Sequence, residues 1–333
     1  MTKKIRLGIV GLGDISKIWI KAIAKVKDAE LVAVCSRNES KVKRVAKELQ
    51  VKGYTNYRHF LADSKIEAIL ILTPPFTHAE IGIKAAEAGK HVLVEKPIDL
   101  DLKKAEELIK VCQEKNVKLG VVSQMRFAKN ALLLKKLIAE GKFGQLSLIR
   151  ASMKWFRNQN YYEAHPWKKD SKKAGGGVLV NQAIHFVDLI RWLGGEYDDA
   201  FLFKDTLNYN LPVEDTIVGV IKFKNKATGV VEATTTACRN MPNMIEVHGT
   251  KGSVVLKNNR IVEYHFGEYS LLNTIKSMVI SRWKSLKPVK QLHYTDQIED
   301  FVQAIKKNRN CLIDGKEGLQ TLNLCNHMYK NAQ

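Results

Sequence analysis

The first third of the chain alternates short apolar runs with amphipathic segments. Continuous apolar runs predict strands at 5–10, 31–35, 68–72, 91–94 and 118–123, with a weaker strand at 53–54. Helical periodicity between them predicts helices at 15–26, 41–49, 79–88 and 102–115. Uniformly apolar strands separated by helices are typical of a parallel sheet with helices on both faces. The pattern therefore predicts an α/β domain over residues 1–122.

The pattern changes after residue 122. A helix is predicted at 131–138, a strand at 145–155 and, after a polar loop, a helix at 178–193. Further strands are predicted at 216–223, 229–236, 244–248 and 253–256, with a hairpin turn at 250–252. Runs of strands with few helices between them favour an α+β domain with a large, mostly antiparallel open sheet. We assign residues 123–333 to this second domain.

Composition narrows the class of protein. A chain of 333 residues with 45% hydrophobic and 26% charged residues is typical of a soluble globular protein of about two domains. Its first residues do not resemble a secretory signal, and no run approaches the ~18 apolar residues of a membrane helix. The five cysteines include no CxxC pair, which argues against a zinc site and a disulfide framework. We expect a cytoplasmic protein with no membrane partner and no metal.

The net charge of +20 is the unusual feature of the composition. It fits a nucleic-acid partner or an anionic small molecule. The lysines are spread along predicted helix faces, and no helix-turn-helix, RRM or zinc-finger signature accompanies them. We therefore expect no nucleic-acid partner and an anionic cofactor or substrate.

A glycine loop joins the first strand to the first helix. Gly11-x-Gly13-x-x-Ser16 has the spacing of a dinucleotide fingerprint, with Asp14 and Ile15 opening the helix. In this pattern the first glycine permits the tight turn, the second permits backbone approach to the pyrophosphate, and the third position requires a small residue. The strand–loop–helix context is the one the pattern requires. We predict a dinucleotide at this loop.

The end of the second strand bears on which dinucleotide binds. NAD-binding domains carry Asp or Glu there for the ribose hydroxyls, whereas this chain has Ser36 and Arg37. Both side chains suit a 2′-phosphate, which favours NADP over NAD. Stacking of Arg37 on adenine would fit either cofactor.

Two further strand ends face the expected crevice of such a sheet. Thr73-Pro74 follows the strand at 68–72, and we predict cofactor contacts for Thr73, Pro74 and His78, although His78 also fits a structural role at a helix N-terminus. Glu95-Lys96 follows the strand at 91–94. The pair fits either a surface ion pair or a cofactor-side glutamate with a catalytic lysine.

The predicted helix at 178–193 is apolar on most sides. At 100° per residue, Asn181, His185 and Asp188 fall on one polar stripe, and three glycines at 175–177 suggest a flexible entry. A lone buried histidine is most often structural, but an amide, an imidazole and a carboxylate in register favour a site. Histidine suits proton transfer at neutral pH, so His185 is the candidate general base and Asp188 a structural or orienting partner.

Together, Gly11-x-Gly13, Thr73-Pro74-Pro75-x-x-His78, Glu95-Lys96-Pro97 and the glycine-led segment ending in His185-x-x-Asp188 resemble the Gfo/Idh/MocA oxidoreductases. The resemblance implies a Rossmann domain followed by an α/β domain whose open sheet commonly makes a homodimer or homotetramer contact. It implies exchange of a hydride between NAD(P) and a secondary alcohol of a sugar or cyclitol. It places Lys96 beside the nicotinamide and the reacting oxygen, often before a cis proline, and His185 as the family histidine.

Other residues resemble the UDP-N-acetylglucosaminuronate 3-dehydrogenase-like branch of that family. They are Arg126 within Gln-x-Arg-Phe, Trp155-Phe156-Arg157, Tyr161-Tyr162 and Asn181-Gln182. The resemblance implies a sugar or sugar-nucleotide substrate, with Asn181 orienting a hydroxyl. Arg126 and Arg157 have guanidinium groups that match a carboxylate or phosphate, and Tyr161 would stack on a sugar face or pack its loop. A cyclitol dehydrogenase and a non-catalytic nucleotide-binding regulator remain the alternatives.

Overall fold

The structure is a computed structural model that describes residues 3–267 and 293–333. These residues form two compact units. The first comprises Met1–Gln124 and Leu292–Leu322, and the second comprises Met125–Gln291 and Asn323–Gln333. The prediction placed every residue after 122 in the second domain, whereas 292–322 group with the first unit.

Thirteen strands lie in the described part of the chain. They are β1 (Ile5–Val10), β2 (Ala29–Cys35), β3 (Lys52–Tyr54), β4 (Ala68–Ile71), β5 (His91–Val94), β6 (Leu119–Val121), β7 (Leu146–Lys154), β8 (Tyr197–Asp205), β9 (Thr216–Phe223), β10 (Thr228–Thr234), β11 (Met244–Gly249), β12 (Gly252–Lys257) and β13 (Arg260–Phe266). The α-helices there are α1 (Ser16–Ile23), α2 (Glu39–Leu49), α3 (Tyr57–Leu61), α4 (His78–Glu87), α5 (Leu102–Glu114), α6 (Lys129–Ala139), α7 (Gln159–Glu163), α8 (Ser171–Ala174), α9 (Ile184–Gly194), α10 (His293–Lys306) and α11 (Gly315–Lys330).

The first unit is built on a parallel sheet with the order β3-β2-β1-β4-β5-β6. The predicted α/β sheet is confirmed. Because β1 lies between β2 and β4, the connections after β1 and β4 diverge, and a crevice forms beyond the carboxyl ends of these strands. The loops that carry Gly11, Thr73 and Lys96 all follow strands of this sheet.

A late helix completes the core of the first unit. Tyr294 of α10 packs edge-to-face on Trp19 of α1, with ring centroids 4.8 Å apart. Phe301 and Val302 of the same helix lie in one apolar cluster with Leu7 of β1. Hydrophobic periodicity predicts elements but not where a distant one returns, which is why the predicted boundary missed this helix.

The second unit contains a seven-stranded sheet with the order β13-β12-β11-β7-β10-β9-β8. Among the strands described for this sheet, β7 and β10 alone pair in parallel, so the predicted mostly antiparallel sheet is confirmed. The predicted hairpin joins β11 to β12, where Gly249 pairs with Gly252. Helix α9 packs on one face, with Ile190 close to Gly229 of β10 and Gly194 close to Phe223 of β9.

The opposite face of this sheet, here called the open face, leaves several side chains exposed among the described residues. Side chains alternate along β9, so that Val218 and Val220 are 43% and 39% exposed. On the neighbouring strand Phe203 is 53% exposed and stacks edge-to-face on Phe201. Arg150 at the centre of this face bonds to Glu232 and Glu246. The open face thus combines an apolar side with a charged centre.

The segment before and within the predicted helix at 178–193 differs from the prediction. Residues Leu179–Ala183 form a π-helical turn, and regular α-helix begins only at Ile184. A spacing of 100° per residue therefore does not hold before residue 184. The polar loop ahead of it contains the short helices α7 and α8 and the 3₁₀ turn Pro166–Lys169. Across residues 3–267 and 293–333, none of the helices has the length and apolar character needed to span a membrane.

Candidate functional site

The two glycines of the loop in the first unit, Gly11 and Gly13, have different roles. Gly11 has a φ of 104°, and a Cβ there would lie 2.6 Å from the carbonyl carbon of Leu72. A Cβ at Gly13 would meet no atom within 4 Å. Packing against the end of β4 therefore requires Gly11, whereas open space surrounds Gly13. That space fits the close approach of a pyrophosphate to the backbone.

Helix α1 begins directly after this loop. Ser16 is buried, and its Oγ donates to the Gly13 carbonyl over 2.6 Å, so the third position of the pattern is small because it is enclosed. The flanking residues are an exposed Asp14 and a half-buried Ile15. The first turn has no acidic side chain, and the N–H groups at its start suit a phosphate.

At the end of β2, Ser36 is half-buried and Arg37 is exposed. Ser36 Oγ accepts the N–H of Asn38 over 3.3 Å, and Asn38 in turn caps α2 by accepting the N–H of Lys41. No carboxylate occupies positions 36–38. The residues present fit an adenosine ribose that carries a 2′-phosphate at least as well as one that does not.

His78 links two loops of the first unit. Its Nδ1 lies 2.7 Å from the Pro97 carbonyl oxygen and its Nε2 lies 2.8 Å from that of Thr73. Burial holds the pKa of His78 below its ordinary value of 6.5, because it outweighs the two carbonyls, Glu95 and Asp99, which act to raise it. The ring is fully buried and both nitrogens are engaged, so the predicted cofactor contact of His78 is corrected to an internal one.

The neighbouring Thr73-Pro74 turn is held by Thr77. The Thr77 hydroxyl donates to the Pro74 carbonyl over 2.8 Å, and its oxygen lies 2.7 Å from Thr73 Oγ1. Thr73 and Pro74 are half-buried. This turn is therefore ordered by local bonds, and its two residues stay candidates for cofactor contact.

The turn after β5 carries Lys96. Glu95 accepts the indole N–H of Trp19 over 3.0 Å through Oε1 and the backbone N–H of Lys96 over 3.1 Å through Oε2. The Lys96–Pro97 peptide is cis, and Lys96 is half-buried. Glu95 is half-buried, and these two bonds make its carboxylate an anchor of the turn. Its cofactor contact stays a prediction.

In the second unit the π-helical turn carries Asn181 and leads into His185. Asn181 Nδ2 donates to the carbonyls of Gly176 and Gly177 over 2.8 and 3.0 Å. His185 lies in the first turn of α9 and is half-buried. Single π-helical turns occur frequently at functional sites. Here the amide of Asn181 fixes the glycine segment on which the turn rests.

The glycine segment is tightly packed rather than flexible. A Cβ at Gly177 would lie 1.8 Å from the carbonyl oxygen of Glu214, and one at Gly176 would lie 2.0 Å from the Tyr329 hydroxyl. The Glu214 carboxylate accepts the N–H groups of Gly177 and Leu179 and the hydroxyl of Tyr329. The predicted flexible entry is therefore wrong, because close backbone approach is what requires these glycines.

Arg126 and Asp188 form an internal ion pair. Arg126 Nε and Nη2 donate to the two Asp188 oxygens over 2.7 and 2.5 Å. Arg126 is 1% exposed and Asp188 is 5% exposed. This geometry corrects the predicted substrate contact of Arg126, because its guanidinium fork is already occupied by a carboxylate.

A cationic cluster surrounds Tyr161. The Lys168 ammonium lies 2.6 Å from the Tyr161 hydroxyl oxygen, which also accepts from Gln182 over 3.2 Å. The Arg157 guanidinium lies 5.2 Å from the Tyr161 ring centroid and 4.9 Å from that of Trp155. Burial acts to raise the pKa of Tyr161, but Lys168, Gln182 and Arg157 together lower it below the ordinary value. Tyr161 and Arg157 thus belong to one positively charged group.

Sequence reasoning missed three residues that order these sites. Trp19 anchors its segment through one bond to Glu95. Glu214 anchors the glycine segment by accepting three bonds. No local pattern marks such contacts between distant positions. Lys168 was visible as part of a basic run, but its contact with Tyr161 depends on how α7 and the following 3₁₀ turn fold.

Comparison with known protein families identifies both units. Residues 5–123 match the family described as "Oxidoreductase family, NAD-binding Rossmann fold". Residues 131–255 match the family described as "GFO/IDH/MocA C-terminal domain".

Individual relatives agree with these matches. The chain is 28% identical to the oxidoreductase YrbE of Bacillus subtilis, covering 96% of this chain and 92% of that protein. It is 25% identical to the myo-inositol 2-dehydrogenase of Thermotoga maritima over 96% of this chain and 93% of the relative. Among solved structures, the WlbA dehydrogenase of Bordetella pertussis, in complex with NADH and UDP-GlcNAcA, is 30% identical with a TM-score of 0.87, covering 99% of this chain and 96% of that one.

Proposed function

The chain belongs to the Gfo/Idh/MocA family of NAD-binding oxidoreductases, and from that premise we propose that it exchanges a hydride between nicotinamide and a ring alcohol of an anionic sugar, with Lys96 and His185 as its catalytic residues. Its activity class is that of a dehydrogenase acting on CH–OH groups, since its relatives are dehydrogenases of this kind. The anchored turn that holds Lys96 at the carboxyl end of β5 is the observation that carries the proposal.

The proposed chemistry divides between the two residues. In the oxidative direction the alcohol carbon loses a hydride and its oxygen loses a proton. His185 accepts that proton, which an imidazole does efficiently near neutral pH. The Lys96 ammonium donates a hydrogen bond to the oxygen as negative charge develops on it. A bound nicotinamide dinucleotide would supply the acceptor for that hydride.

Different residues of the first unit would hold different parts of the cofactor. Gly11, Gly13, Asp14 and Ile15 bind the pyrophosphate through the loop and the start of α1. Thr73 and Pro74 border the nicotinamide end. These assignments are supported by the open space at Gly13 and the lack of an acidic side chain in the first helical turn.

We propose NADP as the preferred cofactor. Ser36 and Arg37 offer a hydroxyl and a guanidinium where a ribose-binding carboxylate would repel a 2′-phosphate. Dissociation constants for NADPH and NADH, measured by fluorescence with native protein and with Arg37→Gln, test this preference. Tighter NADPH binding that disappears in the variant is expected, while tighter NADH binding by the native protein would contradict it.

The anionic substrate class rests on the group around Tyr161. The positively charged groups of Arg157 and Lys168 lie beside Tyr161, over its ring and at its hydroxyl respectively. The Gln182 amide donates to the same Tyr161 hydroxyl. A sugar that carries a carboxylate or a nucleoside diphosphate supplies the opposite charge and a ring face for Tyr161. In this proposal Asn181 orients a sugar hydroxyl.

An oxidation assay distinguishes the candidate substrates. Native protein with NAD⁺ or NADP⁺ is presented with a UDP-linked N-acetylhexosaminuronate, the neutral UDP-N-acetylhexosamine and myo-inositol, and reduced nicotinamide is followed by absorbance. We expect faster turnover of the uronate than of the neutral UDP-N-acetylhexosamine. Turnover of myo-inositol alone would establish a cyclitol dehydrogenase, and cofactor binding without turnover of any polyol would favour a nucleotide-binding regulator.

We also propose that the open sheet face joins copies of this chain. Phe203, Val218 and Val220 are exposed and Phe201 is half-buried, which gives an apolar surface beside the charged centre at Arg150. Burial of such a surface favours association. Light scattering should give a dimer or tetramer for native protein and a smaller species for Val218→Lys/Val220→Lys, with Lys222→Gln on the same strand as control. An unchanged mass would contradict this interface.

A cytoplasmic location completes the proposal. All five cysteines are free thiols, and four of them are buried. Free thiols are typical of a reducing compartment.

A further inference from the structure

We propose that Tyr209 is a positioning residue, whose hydroxyl fixes the backbone of Arg157 and thereby holds the Arg157 guanidinium in place for the anionic group of the substrate. Tyr209 lies in the loop between β8 and β9, 52 residues along the chain from Arg157. The inference adds a residue to the proposed function, and it rests on that function for the nature of the anion.

The Arg157 guanidinium packs against two aromatic rings. Its carbon lies 4.9 Å from the ring centroid of Trp155 and 5.2 Å from that of Tyr161. Its Nη1 donates to the Phe156 carbonyl over 2.7 Å and to Asn240 Oδ1 over 3.4 Å. Among the described residues, the hydrogen bonds of this side chain involve Nη1 alone. Nε and Nη2 therefore remain as a pair of donors for an anion, which a guanidinium binds through two parallel bonds.

The Arg157 backbone is bonded through both of its polar groups. Its N–H donates to the carbonyl of Thr235 over 2.9 Å, directly after β10. Its carbonyl oxygen accepts the hydroxyl of Tyr209. The Tyr209 oxygen also lies 3.4 Å from the Thr235 carbonyl oxygen, but its contact with Arg157 is the shorter one. One backbone bond and one side-chain bond from another loop therefore hold Arg157.

Tyr209 is itself held by buried neighbours. Its ring packs on that of Tyr162, with centroids 5.2 Å apart and planes tilted by 48°. The Tyr162 hydroxyl oxygen lies 2.9 Å from Thr235 Oγ1, and both residues are buried. Because Tyr162 directly follows Tyr161, Tyr209 supports the cationic cluster at two points, through the Arg157 carbonyl and through the Tyr162 ring.

A buried carboxylate fixes the loop that carries Tyr209. Asp215 is fully buried, and its oxygens accept the N–H groups of Leu207 and Asn208 over 3.1 and 3.0 Å. The Asp215 carbonyl accepts the N–H of Thr235 over 2.9 Å. Asp215 thus joins the residue just before Tyr209 to the residue that pairs with Arg157.

The consequence is a guanidinium that is ordered before the substrate arrives. A side chain that is already fixed loses less conformational freedom when its ligand binds, so its affinity for that ligand is higher. Without the Tyr209 hydroxyl, the Arg157 carbonyl loses this donor and the guanidinium is less firmly placed. Tyr209→Phe removes that hydroxyl while keeping the ring that packs on Tyr162.

Positioning is tested first without any substrate. Native protein, Tyr209→Phe and Tyr197→Phe are treated with phenylglyoxal, an arginine reagent, and modification of Arg157 is followed by peptide mass spectrometry. Tyr197 lies at the start of β8 in the same unit, with its ring edge-to-face on His327. It therefore provides a matched control.

We expect Arg157 to react at least about threefold faster in Tyr209→Phe, the effect of one lost hydrogen bond. In Tyr197→Phe it should react at the native rate. An unchanged rate in folded Tyr209→Phe would overturn the positioning role, whatever the protein's substrate.

The link to the substrate is tested by steady-state kinetics of the same three proteins. KM and kcat are measured for a UDP-linked N-acetylhexosaminuronate and for the neutral UDP-N-acetylhexosamine. In Tyr209→Phe we expect the KM of the uronate to rise about three- to tenfold with kcat little changed, because a binding group and not a reacting one is displaced. Tyr197→Phe should keep both native values.

The two sugars identify the anion that Arg157 binds. A rise in KM for the uronate alone assigns the carboxylate to Arg157, and a rise for both sugars assigns the diphosphate that they share. A native KM for both sugars in Tyr209→Phe would overturn the link to substrate binding. Absence of turnover by native protein would contradict the proposed function instead, and the phenylglyoxal rates would still decide the role of Tyr209.

Discussion

Arg126 and Asp188 form a two-pronged ion pair inside the second unit, with both residues almost completely buried. The pair ties the segment after β6 to the middle of α9, the helix that carries His185 in its first turn. Trp192 lies beside it, with its ring centroid 5.5 Å from the Arg126 guanidinium carbon. The contact makes Arg126 part of the framework that orders α9.

We predict that Arg126→Met lowers the free energy of unfolding by about 3–5 kcal/mol, because it leaves the Asp188 carboxylate buried without its cation. Arg126→Met/Asp188→Leu should recover most of that loss, since no unpaired charge remains. Chemical denaturation of both variants measures the difference. Native stability in Arg126→Met together with loss of substrate affinity would instead restore the substrate contact predicted from the sequence.

Alanine substitutions of the two loop glycines are predicted to affect different properties, stability at Gly11 and NADH binding at Gly13. Gly11→Ala would force a side chain against the backbone of Leu72 in a left-handed conformation, so it should destabilise the first unit by more than 1 kcal/mol, as expected for alanine at positive φ. Gly13→Ala meets open space and should fold as native protein, yet bind NADH weakly because its methyl group occupies the phosphate path. Thermal melts and NADH titrations of both variants separate these effects. Equal NADH affinity of Gly13→Ala and native protein would contradict the binding of a phosphate at this loop.

The Tyr161 hydroxyl is predicted to report on Lys168. Because the Lys168 ammonium helps to hold the pKa of Tyr161 below its ordinary value, Lys168→Met should raise that pKa. Ultraviolet titration of native protein and variant, with Tyr161→Phe to identify the signal, measures the shift. Lys169→Met provides the control, since Lys169 approaches Glu163 instead. An equal pKa of Tyr161 in native protein and Lys168→Met would contradict the proposed cationic group.

Acid is predicted to destabilise the protein through His91. Burial lowers the pKa of His91 from 6.5, and its Nδ1 must stay unprotonated to accept the N–H of Lys118. Below about pH 6.5 the unfolded chain therefore binds the proton more readily than the folded one, and stability falls as pH falls. The loss is at most about 1.4 kcal/mol per pH unit for one proton.

This pH dependence is checked by denaturation between pH 7.5 and 5 with native protein and His91→Gln. The variant should have a shallower slope, because its amide oxygen accepts the same bond without titrating. His59→Gln, at an exposed position of α3, should retain the native slope. Identical slopes in native protein and His91→Gln would exclude His91 as the source.

The sequence predicted elements well where one local pattern decided them. Apolar runs bounded by turns located the parallel strands, and a run of strands with few helices between them indicated the mostly antiparallel sheet. It failed where a contact joins distant positions. Nothing near Trp19 indicates that its indole holds Glu95, and nothing near residue 293 indicates that α10 returns to α1.

The same contrast between local patterns and distant contacts applies to the candidate site. The spacing of Gly11 and Gly13 was informative because the backbone itself makes the loop. The polar stripe through Asn181 and His185 assumed regular helix, whereas the chain forms a π-helical turn there. Periodicity cannot anticipate such a turn, because the bonds that stabilise it come from Glu214 and from the glycine carbonyls that Asn181 contacts.

Single-turnover oxidation of a UDP-linked N-acetylhexosaminuronate tests the central claim most directly. Native protein, Lys96→Met and His185→Gln are mixed with oxidised cofactor and this sugar, with Lys104→Met and His59→Gln as exposed controls. The account predicts nicotinamide reduction by native protein and both controls, with a rate at least about 10²-fold lower in Lys96→Met and His185→Gln while cofactor still binds. A His185→Gln variant that reduces the nicotinamide at the native rate would contradict the account.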